Sequence, residues 1–548
     1  MTDLAIVNGI VYGTPGATCV AIEGGRIAAV GGRDVASGAG ETVDARGGLV
    51  LPGFEDAHIH LLSGAREANG ALLYPLETVA EIQARIRDHA AAHPEHPWVL
   101  GRGWLYAAFP GELPTAALLD AVVADRPAWM SCFDGHTSWA NTAAMRLAGI
   151  TRETPDPPAG VIVRDADGNA TGAFKEEAQA LIDRIVPQPT EADDRVSIRR
   201  ALAGLHATGI TAAQDAWLDP GELAAWERVH ADGELGLRFR GALIMEPGQS
   251  LAEWRDRLDA YEAQAFPLRG GSFLDAGILK GFVDGVVDSR TAALLAPYED
   301  DTSTGLPAWE PDQLDAFVAE ADRRGWQVEL HAIGDRGVRM ALDAYEHAGR
   351  TNGPWTGDPH GRGATPGTHA RRHRVEHVEM IDAADIPRFG QLGVVASMQP
   401  YHGDPSPMQI GPWAANIGPV RARSAWSWRS IRAAGGVVAL GSDWPVVPYD
   451  TFIALNGAVN RTTTRGLPEG GWSDEKLTLP DALEAYTAGS AHAAFAEHRR
   501  GRVAPGMDAD VIVLDRDLLA AGPSAIIGTG VALSVLDGRI VHRTEGLA

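Results

Sequence analysis

After Arg200, short apolar runs alternate with helical stretches, and nothing else in the chain restricts its fold as strongly. The runs at 209–215, 237–244, 276–283, 326–331, 374–377, 394–398 and 437–443 read as strands. Between two of them, 311–324 reads as a helix. Pro311 suits a first turn, Leu314, Phe317, Val318 and Ala321 fall at i, i+3, i+4 and i+7, and Gly325 supplies the stop. Strands that alternate with helices imply a parallel sheet, and a further strand at 51–60 makes eight, the number that closes into a barrel.

That further strand reads Leu-Pro-Gly-Phe-Glu-Asp-Ala-His-Ile-His. Side chains on a strand repeat every second residue, so Asp56, His58 and His60 share a face. Two imidazoles on a buried strand make a poor core but a good grip on a divalent cation. A bare His-x-His also suits a solvated edge strand; the Pro-Gly turn and the apolar run at 48–51 argue for burial. His331, His377 and Asp443 each close an apolar run at its carboxyl end, where barrel enzymes assemble active sites from separate strands. Lys280 also ends its strand. Taken singly, a strand-end histidine is commonly only a hydrogen-bonder, and Asp443 before Trp444-Pro445 is a turn former. Their joint occurrence is what points to metal chemistry. Of 47 basic residues only Lys175, Lys280 and Lys476 are lysines, so this chain uses arginine for generic surface charge. A lysine in a pocket can lose its proton, which arginine cannot.

With 548 residues the chain is expected to form two or three domains. Short apolar runs with glycine turns fill 4–50, and similar runs recur at 509–514, 532–536 and 539–542. Residues 1–53 and 500–548 are therefore expected to build one β-sandwich, 54–61 and 201–499 the barrel, and 62–200 an insertion. The net charge of -25 and the lack of a basic stripe disfavour nucleic acid and anionic membrane as partners; a small-molecule substrate is expected. No signal segment or bilayer-length apolar window is visible, and Cys19 and Cys132 give no disulfide framework. A cytoplasmic location is expected; a monomer and a homodimer both remain open. The stretch 351–368, rich in Gly, Pro and His, reads as a long loop or lid. Residues 480–495 read as one amphipathic helix packed on the barrel.

Leu-Pro-Gly-Phe-x-Asp-x-His-x-His resembles the first-strand signature of the amidohydrolase superfamily of metal-dependent hydrolases. Several segments are similar to the YtcJ-like branch of the amidohydrolase 3 family. They are Gly135-His-Thr-Ser-Trp-Ala-Asn141, Gly172-Ala-Phe-Lys-Glu-Glu-Ala178, Phe282-Val-Asp-Gly285, Ser289-Arg-Thr-Ala-Ala-Leu294, and the runs at 506–515 and 535–541. The resemblance implies a TIM-like (β/α)8 barrel with a composite sandwich and metal at the carboxyl ends of its strands. It implies His58, His60, His331, His377 and Asp443 as ligands, with His58, His60 and Asp443 on the more buried cation and His331 and His377 on the more exposed one. A carboxylated Lys280 is the expected bridge, with Lys175, Glu176 and Glu177 as competitors. Zinc is the expected metal, as one or two ions, although Mn, Fe, Co and Ni suit the same ligands.

The implied reaction is hydrolysis of a carbonyl C–N bond, of amide, N-acyl or formamide type. The cation acidifies a water so that hydroxide is available near neutral pH, and Asp443 acts as general acid/base beside His377. His136, Arg290 and Trp444 are the expected substrate contacts. Deamination is the enzymatic alternative, but family deaminases carry His-x-x-Glu where this chain has His331-Ala-Ile-Gly-Asp335; Asp335 reads as a helix N-terminal charge. Trp104, Trp129, Trp139, Trp217 and Trp444 lie in or near loops able to roof the site, which suggests an apolar or aromatic amide. A catalytically inactive barrel serving as a binding module is the remaining alternative. Loss of a ligand would be its mark, and none is missing.

Overall fold

The structure, a computed structural model, describes residues 2–109, 113–133, 135, 137–157, 160–354, 371–406 and 410–545. It divides into two compact units, Met1–His60 with Leu202–Ala548, and Leu61–Ala201.

In the first unit eight parallel strands bond to one another in chain order: β1 (Phe54–Ile59), β2 (Ile210–Leu218), β3 (Arg238–Met245), β4 (Leu274–Phe282), β5 (Gln327–Ala332), β6 (Arg374–His377), β7 (Val395–Met398) and β8 (Val437–Leu440). The ring closes just past the end of β8. There Asp443 N donates to His58 O at 2.7 Å and His60 N to Trp444 O at 2.8 Å. The fold is thus a (β/α)8 barrel. Helix Pro311–Arg323 lies between β4 and β5 and buries Leu314, Phe317, Val318 and Ala321, the four positions its periodicity requires.

The segment expected as one helix at 480–495 is broken. It runs as Leu479–Glu484, a π turn at Ala485–Gly489, and Ser490–Ala493. Side-chain hydroxyls explain the break. Thr487 Oγ1 donates to Leu483 O at 2.7 Å and Ser490 Oγ to Ala485 O at 2.9 Å, loosening the regular ladder. Gly489 also approaches β8 so closely that a Cβ there would stand 2.4 Å from Val438 O.

Both chain termini build a pair of small sheets. Leu49–Pro52 pairs antiparallel with Val511–Leu514, which pairs with Val531–Leu536, while Leu4–Val7 pairs with Cys19–Glu23 and Glu41–Asp44. Ile6, Val20, Ile22, Val43, Val50, Val511, Val513, Leu533 and Val535 share one buried core. Each such side chain gains roughly 1.5–3 kcal/mol on burial, which fastens the two ends of the chain together.

The second unit is a six-stranded mixed sheet carrying apolar clusters of its own. Here the structure corrects the expectation for three tryptophans. Trp104 and Trp139 are fully buried in one of these clusters and Trp129 in the other. Their indole N–H groups donate to Met130 O, Thr115 O and Asp183 Oδ1 at 3.0, 2.8 and 2.8 Å. They form this unit's core and give no argument for an aromatic substrate. Of the expected loop at 351–368, Thr351 and Asn352 end the helix Asp335–Asn352, and 355–368 lie outside the described residues. Among the described residues no helix is long and apolar enough to cross a membrane.

Candidate metal centre

The barrel interior is polar, and alternation along β5 and β6 makes it so. Gln327, Glu329 and His331 occupy every second position of β5, as do Arg374 and Glu376 on β6, and all are buried. Arg374 reaches four other strands, which it can do only across the inside. It donates to Ala57 O at 2.6 Å, Gln214 Oε1 at 2.6 Å and Ser397 Oγ at 3.0 Å, and meets Glu329 at 3.2 Å and Glu376 at 2.8 Å. Burying such charges is repaid only when every group is paired, so this layer is a mould for the residues beside it rather than a source of stability.

His58 is what the mould shapes. Its Nδ1 donates to Glu376 Oε2 at 2.5 Å, which turns Nε2 toward Lys280 Nζ at 3.4 Å and Asp443 Oδ1 at 3.4 Å. His60 Nε2 meets the same Asp443 oxygen at 3.0 Å. His377 Nδ1 donates to Gln399 Oε1 at 2.7 Å, and its ring centroid lies 4.9 Å from His58 and 4.5 Å from His331. His331 Nε2 faces Gly285 O at 3.2 Å; a carbonyl only accepts, so Nδ1 carries that ring's lone pair. Single donor atoms of His58, His377 and Asp443 all lie within 4.8 Å of one another. The six expected ligands, from five different strands, therefore come together.

Local backbone geometry aims them. His377 has φ 75° and Asp443 φ 63°, left-handed values that cost roughly 1–3 kcal/mol each for a residue with a side chain and that cluster at functional sites. Gly441 is required just before: a Cβ there would sit 2.5 Å from His58 N. Asp56 Oδ1 accepts from His58 N at 3.1 Å and from Ser442 N at 2.9 Å, tying β1 to the chain leaving β8.

The electrostatics suit a cation. Burial holds His60 below the ordinary imidazole pKa, His331 at about 3 and His377 well below it, so three rings are neutral and carry lone pairs. Burial and Lys280 also press on His58, but Asp443 and Glu376 outweigh them and raise it, so a cation would displace a proton here. Asp443 stays far below the usual carboxylate range despite burial, because His58 and His60 flank it. Burial lowers Lys280 against the pull of Glu329, Glu376 and Asp443. Neutral imidazoles with an ionised carboxylate are the donor set a divalent transition metal requires.

The other expected site residues are placed differently. His136 lies outside the described residues. Arg290 spends its guanidinium on Asp300 at 2.7 Å, Asp301 at 3.6 Å and Asn416 at 3.1 Å, none of them part of the histidine group. Trp444 follows Asp443, is buried and packs edge-on against Tyr449. Lys175 pairs with Val161 and Thr137 in the second unit and is half-buried, whereas Lys280 is fully buried. Asp335 opens its helix and accepts from Leu295 N at 2.8 Å.

Sequence reasoning missed His402, whose Nε2 is 3.4 Å from Asp443 Oδ2 and whose Nδ1 is 3.6 Å from Glu379. It also missed Asp284, which accepts from Ala293, Ile333 and Gly334 N and so joins the loops after β4 and β5. His402 lies beyond the end of β7, in the 3-10 turn Pro400–Gly403, so the strand-end rule that singled out His331 does not reach it.

Barrels that gather imidazoles and a carboxylate at the carboxyl ends of their strands define a class of metal-dependent hydrolases. The chain belongs to the amidohydrolase family, whose model matches residues 41–542, and it is an enzyme acting on carbon–nitrogen bonds. It is 29% identical to the putative amidohydrolase YtcJ of Bacillus subtilis, over 92% of this chain and 90% of that one. It is 27% identical to the N-substituted formamide deformylase of Arthrobacter pascens, over 100% of this chain and 99% of that one. A solved structure, an uncharacterized metal-dependent hydrolase from Pyrococcus horikoshii, matches with TM-score 0.73 at 26% identity and covers 95% of this chain and 99% of its own.

Proposed function

We infer that the chain hydrolyses a carbonyl C–N bond in a small amide, N-acyl or formamide substrate, with His58, His60, Lys280, His331, His377 and Asp443 holding one or two divalent cations. The observation that carries this is the chain of contacts among these six side chains: His58 and His60 on Asp443, Lys280 on His58, and the His377 ring against those of His58 and His331. The formamide reading adds the likeness to a deformylase along the whole chain. Zinc is the metal best matched to imidazole and carboxylate donors. A bound cation supplies a water acidified to near-neutral pKa and polarises the substrate carbonyl.

The protein's own part is orientation and proton handling. Glu376, held ionised at about 2 by Arg374 and His58 in spite of burial, fixes the His58 tautomer and ring plane. Gln399 does the same for His377. Asp443, ionised in this setting, accepts the proton of the attacking water and returns it to the departing nitrogen. His402 steadies the second Asp443 oxygen. Lys280, with its amine pushed toward the neutral form, adds to the carbon of CO2 and releases a proton, giving a carbamate whose single negative charge is shared by two oxygens. Trp217 packs 5.1 Å from Phe282, whose ring is 4.6 Å from His331, so an aromatic flank borders the site and favours an apolar acyl or N-substituent.

The test is hydrolysis of a panel of amides and N-substituted formamides by zinc-loaded protein, before and after chelation. Metal-dependent release of amine is expected; release that survives chelation, or no release from any amide or formamide on the panel, would overturn this reading. Lys280→Ala should lose metal and regain part of its activity with added short carboxylates, and unchanged metal content would remove Lys280 from the ligand set.

A further inference from the structure

The unit Leu61–Ala201 holds another group of metal-ligating side chains that the hydrolase reading leaves unused. The helix Val79–Ala92 runs out through His89-Ala-Ala-Ala-His93-Pro-Glu-His96. His89 and His93, four residues apart, are neighbours on one side of the chain, with ring centroids 4.6 Å apart. His96 stacks on His93 at 4.9 Å with the planes 12° apart. Glu95 Oε1 lies 3.8 Å from His93 Nδ1 and 3.5 Å from His96 Nε2. Donors that share one tetrahedral ion at about 2.0–2.3 Å stand about 3.3–3.8 Å from one another, as Glu95 does from His93 and from His96, and single donor atoms of these three lie within 4.8 Å of one another, with His89 beside His93.

The surroundings favour a cation in three further ways. Arg126 fixes the loop: its guanidinium donates to the carbonyls of His93, Pro94 and His96 at 2.9, 3.0 and 2.9 Å and to Ala90 O, so the backbone that carries the donors is held in place. The helix ends here, and its carbonyl end attracts positive charge. The side chains of His93 and His96 are 31% and 43% exposed, open to a hydrated ion.

We propose that His89, His93, Glu95 and His96 form a second binding site for one divalent transition-metal ion of the imidazole-preferring class, such as zinc. The ion would staple the end of the helix to the turn that follows, a stabilising rather than a catalytic task. The test is equilibrium dialysis of the full chain against zinc, comparing the wild type with His93→Gln/His96→Gln and with Glu95→Gln. The double variant should hold one ion fewer per chain with turnover unchanged, and Glu95→Gln should bind that ion more weakly. Repeating the comparison in a His58→Ala background keeps the result independent of the barrel. Equal zinc stoichiometry and affinity in the wild type and both variants would overturn the proposal.

Discussion

Two groups of histidines, one in each unit, have similar ring spacings in opposite settings. In the barrel, the His377 ring lies 4.9 Å from His58 and 4.5 Å from His331, and all three are buried. In the other unit, the His93 ring lies 4.6 Å from His89 and 4.9 Å from His96, and all three are partly exposed. Spacing therefore does not separate them; what holds each ring does. His58 and His377 are oriented by the side chains of Glu376 and Gln399, and Glu376 by Arg374. His93 and His96 are held through their backbone carbonyls by one arginine. The barrel group also carries buried charge and left-handed backbone at His377 and Asp443, both costs to folding. A site that bears such costs is built for chemistry, whereas a group on one helix end bears almost none.

The widest gap between the two should appear on removing a carboxylate. Asp443→Asn should cut turnover by about 10²–10⁴-fold, the usual worth of a positioned acid/base, while circular dichroism reports an intact fold. Glu95→Gln should leave turnover as it is. Activity surviving in Asp443→Asn would take the acid/base role from Asp443.

Second in size is orientation. Glu376→Gln keeps a hydrogen-bonding partner for His58 but removes the charge that fixes its tautomer, and should weaken metal affinity about 10–100-fold. Metal titration of the apoprotein checks this. An affinity equal to wild type would mean that the Arg374–Glu376 layer serves folding alone.

How much of this was legible in the sequence follows from which interactions are local. β6 is found residue for residue, because Arg374–His377 is a short run between breaks. β8 ends at Leu440, three residues short of the reading, because the chain must leave strand geometry for Asp443 to take a positive φ. His331, His377 and Lys280 were visible from their strand-end positions. The inward charges were present in Gln327-Val-Glu-Leu-His331 and Arg374-Val-Glu-His377 as polar residues at every second position, a pattern an apolar interior forbids. His402 was hidden because it sits in a 3-10 turn beyond β7, and only the folded chain brings it to Asp443. The tryptophans misled because a large indole near a loop reads alike whether it faces a ligand or fills a core, as Trp104, Trp129 and Trp139 do.

Acid should sharpen the contrast next. In metal-free protein the unfolded chain takes up protons on His331, His377 and His60 that the native barrel excludes. The part of the stability that these three rings contribute is therefore complete above the unfolded value of about 6.5 and is lost as pH falls toward 3, by an amount on the order of a few kcal/mol, against an opposite contribution from His58, whose raised value favours the native state in acid. Denaturant unfolding at pH 7.5 and 5 should show the loss. His331→Gln should flatten it; an unchanged pH slope would mean that water reaches the ring and solvates its charge.

The smallest effect is the most discriminating. His89 is also held below its ordinary value, at about 4, first by burial and then by His93, His96 and Arg126. By the same sign, it costs stability as pH falls from about 6.5 through 4, but the ring is only half buried and water screens much of the penalty. In chelator at pH 5, His89→Gln should therefore protect the helix Val79–Ala92 against hydrogen exchange slightly better than wild type, by no more than about 0.5 kcal/mol. With zinc at pH 7.5 the order should reverse, because the ion binds the native site and adds its binding free energy to the wild type alone. A variant that is better protected without metal and worse protected with it is expected only if the ring trades a proton penalty for a ligand bond. If zinc leaves the two equally protected, the imidazoles at this helix end are only neighbours.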